Sequence, residues 1–472
     1  MSGDYVRVPE GAAKSSGSRI SWLFSRRNKG RLPYAVVLFL ATLLSILGTR
    51  HYIRCRRARA DLARHNERTE VLRSYLDDPR TFQRDNILSS RLVDQLEGPP
   101  SGRILETALN MRIFKRLLSL PPITEFDHQI KDLVYQRLFP WLTNSSLTNN
   151  MSQQRGAVIA TGAHYFPMCV HAIRTLRLLN FTLPIEVFYL NADDLPAESV
   201  AFLNGMPGVR AIDISSRFNM TILELRSWDI KPFAILGSSF KEVLLLDADV
   251  VLVKHPDCLF ESEEYARTGA VFFTDRFLLN RRRHYRAWFE EIMPEPHSPK
   301  LVNSEMYRDL SSYQQESGVV LIDKTRRLTG LLATCLLNCK EERKQIHRKT
   351  YGEKETFWLG FEISEDPYEF YDNHAGSVGT AGIHRQTGNI LHCGKLAHFD
   401  HDGELLWFND SIIQDKKRLD SGVATLLHIG SKGGWWNLCL KPTDLRMLPS
   451  HQQALLEKIK ALWEPNPAKP NT

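Results

Sequence analysis

Two carboxylates close an apolar run. Asp247 and Asp249 follow Val243-Leu244-Leu245-Leu246 and precede Val250-Val251-Leu252-Val253. Such a run reads as a strand buried on both faces. Carboxylates at its end are costly unless something positive meets them, and a divalent cation is the simplest partner. Hard oxygen donors suit Mg²⁺ or Mn²⁺, which in turn hold phosphate. The chemistry suggested is group transfer from a diphosphate-linked donor. The triplet alone is common, and Asp400-His401-Asp402 repeats it. A strand-end turn whose carboxylates cap backbone N–H groups is the rival explanation.

The surrounding pattern alternates strands and helices. Ala157 to Ala160 reads as a short strand, turned by Thr161-Gly162. Phe166 to Leu179 carries an apolar helical face at Val170, Ile173, Leu176 and Leu179. Strands follow at Ile185 to Leu190 and Val209 to Ile214, a helix at Pro232 to Phe240, and the strand Glu242 to Leu246 delivers Asp247. This order predicts an α/β fold, a mostly parallel Rossmann-type sheet with helices on both faces. Ligands of open α/β sheets bind beyond the carboxyl ends of the strands, where Asp247 and Asp249 fall. Neither a Walker A nor a G-x-G-x-x-G pattern is present, which excludes an ordinary NTPase or dinucleotide site.

Charge is uneven. The 472 residues carry a net +7, but residues 1–60 hold twelve Lys/Arg against two Asp/Glu, leaving −3 for the rest. The basicity belongs to one end, and no nucleic-acid partner is expected. That end brackets an apolar segment, 32–48, whose seventeen residues would span about 25 Å as a helix. No small-x-small cleavage site follows it. The expected organisation is a cytosolic tail (1–31), an uncleaved single-pass anchor (32–48), a helical stalk (49–103) and a lumenal body (104–465). Sequons at Asn144, Asn150, Asn180, Asn219 and Asn409 all follow the anchor. Seven cysteines lack a C-x-x-C pair, so zinc is not expected, and any disulfide connectivity stays open.

Several co-ordered blocks resemble the fungal Golgi α-1,3-mannosyltransferases of glycosyltransferase family 71. They are Trp228-Asp-Ile-Lys231-Pro-Phe-Ala234, Ser239 to Asp249, Pro256 to Phe260, Phe273-Thr-Asp-Arg276, Gln315-Glu-Ser-Gly-Val-Val-Leu-Ile-Asp-Lys324, Tyr351 to Trp358, and Ala397-His-Phe-Asp400 leading to Leu406-Trp-Phe-Asn409. One departure is Gly352-Glu353-Lys354-Glu355, where the family usually has Gly-Asp-Lys-Glu.

The resemblance implies a GT-A-like catalytic domain in a type II Golgi membrane protein. It implies GDP-mannose as donor, Mn²⁺ (or Mg²⁺) as metal, and a mannosylated glycoprotein as acceptor, joined by an α-1,3 linkage with retention. Asp249 would ligate the metal directly, and Asp247 would do so directly or bind the ribose. Lys231 would contact phosphate or ribose, or be a solvated helix-start lysine. The Thr161-Gly162 loop would approach the guanosine. His398 or His428 would supply a late ligand, or neither would. Lys432 corresponds loosely to a late phosphate-binding lysine. Glu355 and Glu316 are the carboxylates for a covalent route, beside a same-face route needing no nucleophile. Either could instead simply hydrogen-bond substrate. Trp435-Trp436 would line an acceptor groove or pack in the core. Rival functions are an α-1,2 linkage, another sugar nucleotide, or an inactive subunit of a transferase complex.

Overall fold

The computed structural model describes residues 34–119, 124–142, 151–280, 284–383, 388, 390–436 and 439–468, with backbone alone at 34–46, 48, 372, 373 and 436. The expected tail 1–31 and the sequons at Asn144 and Asn150 lie outside these residues, as does the anchor 32–48 apart from its helical backbone from Tyr34 and the Leu47 side chain. Among the described residues no helix is long and apolar enough to cross a membrane.

The chain divides into two compact units, 1–64 and 65–472. In the first, the described side chains from Thr49 to Arg64 are exposed along a helix. The division falls within the expected stalk, 49–103. From His65 onward that segment belongs to the larger unit. Asp78 and Asp85 cap the helices Pro79–Arg84 and Asn86–Glu97 with their carboxylates. Phe82, Leu92 and Leu96 are buried with Leu109, Ile130 and Trp141 in one core. Tyr75 donates to Asp127 at 3.0 Å.

The larger unit is α/β, as expected. Its main sheet contains β1 (Gln153–Ala160), β2 (Ile185–Tyr189), β3 (Val209–Asp213), β4 (Phe240–Asp247), β6 (Ala270–Thr274), β7 (Gln315–Asp323) and β8 (Glu369–His374), with the short β5 (Val251–Leu252) belonging elsewhere. The order is β3-β2-β1-β4-β7-β6-β8. Four of these six pairings are parallel and the two made by β7 are antiparallel. Burial explains the apolar runs. On β4, Val243 and Leu245 enter one core, and Leu244 and Leu246 the other, so both faces are covered. Helices Ile104–Ser119, Ile230–Gly237, Lys324–Leu337 and Thr356–Ser364 supply the first core. Phe166–Leu178 supplies the second.

A second sheet adds β9 (Gly376–Ile383), β10 (Ile390–Phe399), β11 (Leu405–Phe408), β12 (His428–Gly430), β13 (Gly433–Trp436), β14 (Cys439–Pro442) and β15 (Arg446–Met447). Its order is β13-β14-β10-β9-β12-β15, and β11 pairs with β10 and with β5. A Cys393–Cys439 disulfide ties β10 to β14.

Candidate functional site

Strand directions gather the site. Parallel pairing sets Ala160 of β1 opposite Asp247, so the Thr161 loop leaves beside the aspartates. Because β7 runs antiparallel to β4, its first residues, Gln315 to Gly318, lie at the same end. β6 pairs Phe273 with Glu316 and Thr274 with Gln315, which delivers Asp275 there too. The turn after β4 is pinned downstream, since Val251 and Leu252 pair with Phe408 and Trp407. Ser411 N–H also donates to the Asp249 carbonyl at 2.7 Å.

Both aspartates meet an ammonium. Lys231 Nζ lies 2.6 Å from Asp247 Oδ1 and 2.6 Å from Glu353 Oε1, and Ser317 donates to Glu353 at 3.1 Å. Burial opposes the Lys231 charge, but Asp247 and Glu353 hold its pKa above the usual lysine range. Asp247 is pushed up first by burial and then by the Asp249 and Glu353 carboxylates. Two carboxylates thus compete for one ammonium. Lys416 Nζ lies 2.7 Å from Asp249 Oδ2 and 3.2 Å from Asp410 Oδ1.

Glu316 is nearly buried. Its Oε1 accepts from Gly318 N–H and from the Asn409 amide, each at 3.0 Å. Burial, then Asp275, raises its pKa. Beside it Lys354 pairs with Asp275 at 2.5 Å and sits over the Tyr313 ring at 3.3 Å. The Arg276 guanidinium lies 5.5 Å from the Trp435 ring. Trp435 is half-buried and donates to the Ala375 carbonyl at 3.1 Å.

Gly162 has a steric reason. A Cβ there would fall 2.5 Å from Asp194 Oδ1. His164, two residues on, has its Nε2 3.2 Å from the Lys416 carbonyl, so the first loop meets the Lys416 loop. Tyr165 carries a pKa raised by burial and also senses Lys416, Asp249 and Asp247. Trp228 and Tyr351 are exposed, with ring centroids 6.5 Å apart.

Four further expected site residues have these surroundings. Glu355 is fully buried. It accepts from Gln314 N–H at 3.1 Å, Gln315 N–H at 3.2 Å and the Trp358 indole at 2.7 Å. A carboxylate so engaged ties a loop to a helix. His398 is buried, stacked on Trp407 at 4.2 Å, and burial drives its pKa down to about 3. His428 opens β12 opposite Gly379 and Met447. Lys432 is an exposed turn residue whose backbone N–H donates to Asp444 at 2.9 Å. Among the described residues no three or more His, Cys, Asp or Glu side chains are grouped to hold a metal. Asp247 and Asp249 still fit a cation, because Mg²⁺-type sites use one or two carboxylates together with substrate phosphates.

Lys416, Asp410, Tyr165 and the Asn409 amide escaped the sequence reading. Lys416 opens a Lys-Lys-Arg run that reads as a solvated loop, and Asn409 reads as a sequon.

The fold and site define an α/β protein with a lysine-balanced acidic centre at the carboxyl ends of its strands. Residues 154–400 match the family described as "Mannosyltransferase putative" (Mannosyl_trans3), more than half of the chain, and the chain belongs to that family. It is 26% identical over 335 residues to "Putative alpha-1,3-mannosyltransferase MNN14" of Candida albicans, covering 58% of this chain and 48% of that protein. It is 24% identical over 359 residues to "Alpha-1,3-mannosyltransferase MNN1" of Saccharomyces cerevisiae, covering 63% and 46%. The chain spans no more than about half the length of these curated relatives. The X-ray structure of the mannosyltransferase Ktr4p from S. cerevisiae aligns with 54% of this chain and 74% of that one, at 12% identity and a TM-score of 0.32.

Proposed function

We propose that this chain transfers mannose from GDP-mannose to mannosylated glycans on proteins, forming an α-1,3 linkage with retention. Family membership supports the transferase class. The observation that carries the reading is the aspartate pair at the end of β4, where Asp247 and Glu353 share one ammonium. Such a centre favours an added cation and a diphosphate. Asp247 and Asp249 would hold Mn²⁺ or Mg²⁺ with the donor phosphates, and the ion would supply charge neutralisation as the nucleotide leaves.

The chain's own groups then have distinct tasks. Lys231 keeps Asp247 oriented and opposes the rise in its pKa. The bare Gly162 backbone lets a nucleoside approach the end of β1. The exposed pair Trp228 and Tyr351, flanking Lys231 and Glu353 in sequence, offers ring faces to a base or sugar. Glu316 lies where a carboxylate could face the reacting carbon, held there by Asn409 and Gly318. A type II anchor in the Golgi membrane, with the body in the lumen, completes the proposal.

The test is turnover by the purified chain with Mn²⁺ or Mg²⁺ and a panel of sugar nucleotides, with free mannosides and water as acceptors. Transfer or hydrolysis specific to GDP-mannose, and lost with a chelator, is expected. Turnover of another donor, or full turnover in chelator, would overturn donor or metal respectively.

A further inference from the structure

A groove in the second sheet ends at Asp410, whose neighbour Ser411 is hydrogen-bonded to the Asp249 carbonyl. Its floor is the β9–β10 pairing where Gly379 and Gly394 stand in register. A Cβ on Gly394 would fall 2.2 Å from the Val378 carbonyl oxygen, and one on Gly379 would fall 2.7 Å from Gly394 Cα. Neither position can carry a side chain, so the floor is bare backbone. Next to Gly394, Cys393 is bonded to Cys439, which fixes this floor to β14.

The rim is polar, and Val378, Ala424 and Leu426 add a small apolar patch to the lining. Thr380, Gln414 and Thr425 are exposed along the rim, and Lys395 and Asp410 stand at one end. Lys395 is 3.0 Å from Asp410 Oδ2 and donates to the Asp410 carbonyl at 2.8 Å. Asp410 and Ser411 have φ of 78° and 60°, two successive non-glycine residues in the left-handed region. Strain of this kind persists where the surroundings fix a functional group. The same Asp410 reaches Lys416 at 3.2 Å, and Lys416 reaches Asp249 at 2.7 Å, so a chain of ion pairs joins the end of the groove to the acidic centre.

The charge pattern selects a ligand class. Lys395 is balanced by Asp410, so an anion entering the groove would meet a carboxylate. A hydrocarbon would strip water from the threonine hydroxyls and the glutamine amide without replacing it. A neutral polyol can donate to Asp410 and accept from Gln414, Thr380 and Thr425. We propose that this groove is the acceptor subsite and binds a saccharide unit, holding one of its hydroxyls towards Asp249. The inference rests on the transferase reading and adds where the acceptor lies.

The full chain is assayed with GDP-mannose against methyl α-mannoside and free mannobiose, and saccharide binding is followed by saturation-transfer NMR. Thr425→Trp fills the groove from its rim, and Gln414→Ala removes one amide. The expected result is an acceptor KM raised about ten-fold or more in the first variant and about three-fold in the second, with the donor KM moving less. Should Thr425→Trp not fold, Gln414→Ala decides. Acceptor KM equal to the parent's in the folded variants, with transfer intact, overturns the groove and leaves the transferase standing. Donor hydrolysis by the parent with no saccharide signal does the same. Neither hydrolysis nor transfer from any donor would overturn the transferase reading, and the groove with it.

Discussion

Glu353 and Glu355 are two residues apart and do different work. Glu353 shares Lys231 with Asp247, whereas Glu355 accepts two backbone N–H groups and an indole N–H. Glu355→Ala leaves those three buried donors without an acceptor. It is expected to lower stability by about 2–5 kcal/mol, read as a denaturant midpoint, while the folded fraction keeps its turnover. A loss of turnover at full stability would restore Glu355 as a reacting group. Asp249→Asn is expected to behave oppositely, cutting sugar-nucleotide turnover about a hundred-fold or more with little change in melting temperature. Undiminished turnover would remove Asp249 from the centre. The aspartate pair was legible because an apolar run ends in charge. The division of labour between the two glutamates was not, because they flank an irregular turn where no periodicity assigns a direction. His398 shows a related limit, since a histidine stacked in a core and one ligating a metal have the same letter.

At the level of elements, alternation of apolar runs with helical faces located β1 to β4 and the helix Phe166–Leu178 to within a few residues. The antiparallel β7 was not readable as such, since pairing direction leaves no local pattern. The charged segment after the anchor read as a stalk, although Leu92 and Leu96, one helical turn apart, marked a buried face. The helix Ser450–Ala461 docks on Phe166–Leu178 through His171, whose Nε2 lies 2.9 Å from the Ile459 carbonyl. Burial lowers the His171 pKa to about 4. The unfolded chain, with a pKa of about 6.5, therefore binds a proton that the folded chain refuses. This contribution is present above about pH 6.5 and is lost as pH falls towards 4, by about 3 kcal/mol. Denaturation at pH 7 and pH 4.5 should show a smaller acid loss in His171→Gln than in the parent. Equal losses would mean that His171 does not set this dependence.

For the whole molecule, the uneven charge and the sequons pointed to a lumenal body. Geometry now separates the acceptor asparagines. Asn180 is exposed at a helix end, whereas the Asn409 side-chain nitrogen donates to Glu316 inside the site. In a eukaryotic secretory host, Asn180→Gln should remove one glycan from the gel-shift ladder and Asn409→Gln none. A glycan lost with Asn409→Gln would show that its amide is free of Glu316. The ion pair between Lys416 and Asp249 has a consequence in time. Its partners are 167 residues apart. At about 5–20 residues per second, Asp249 leaves the ribosome on the order of ten to thirty seconds before its ammonium. Through that interval the newborn strand end is open to whatever cations its folding compartment contains. A divalent ion met there would be a companion of biogenesis before it served any reaction.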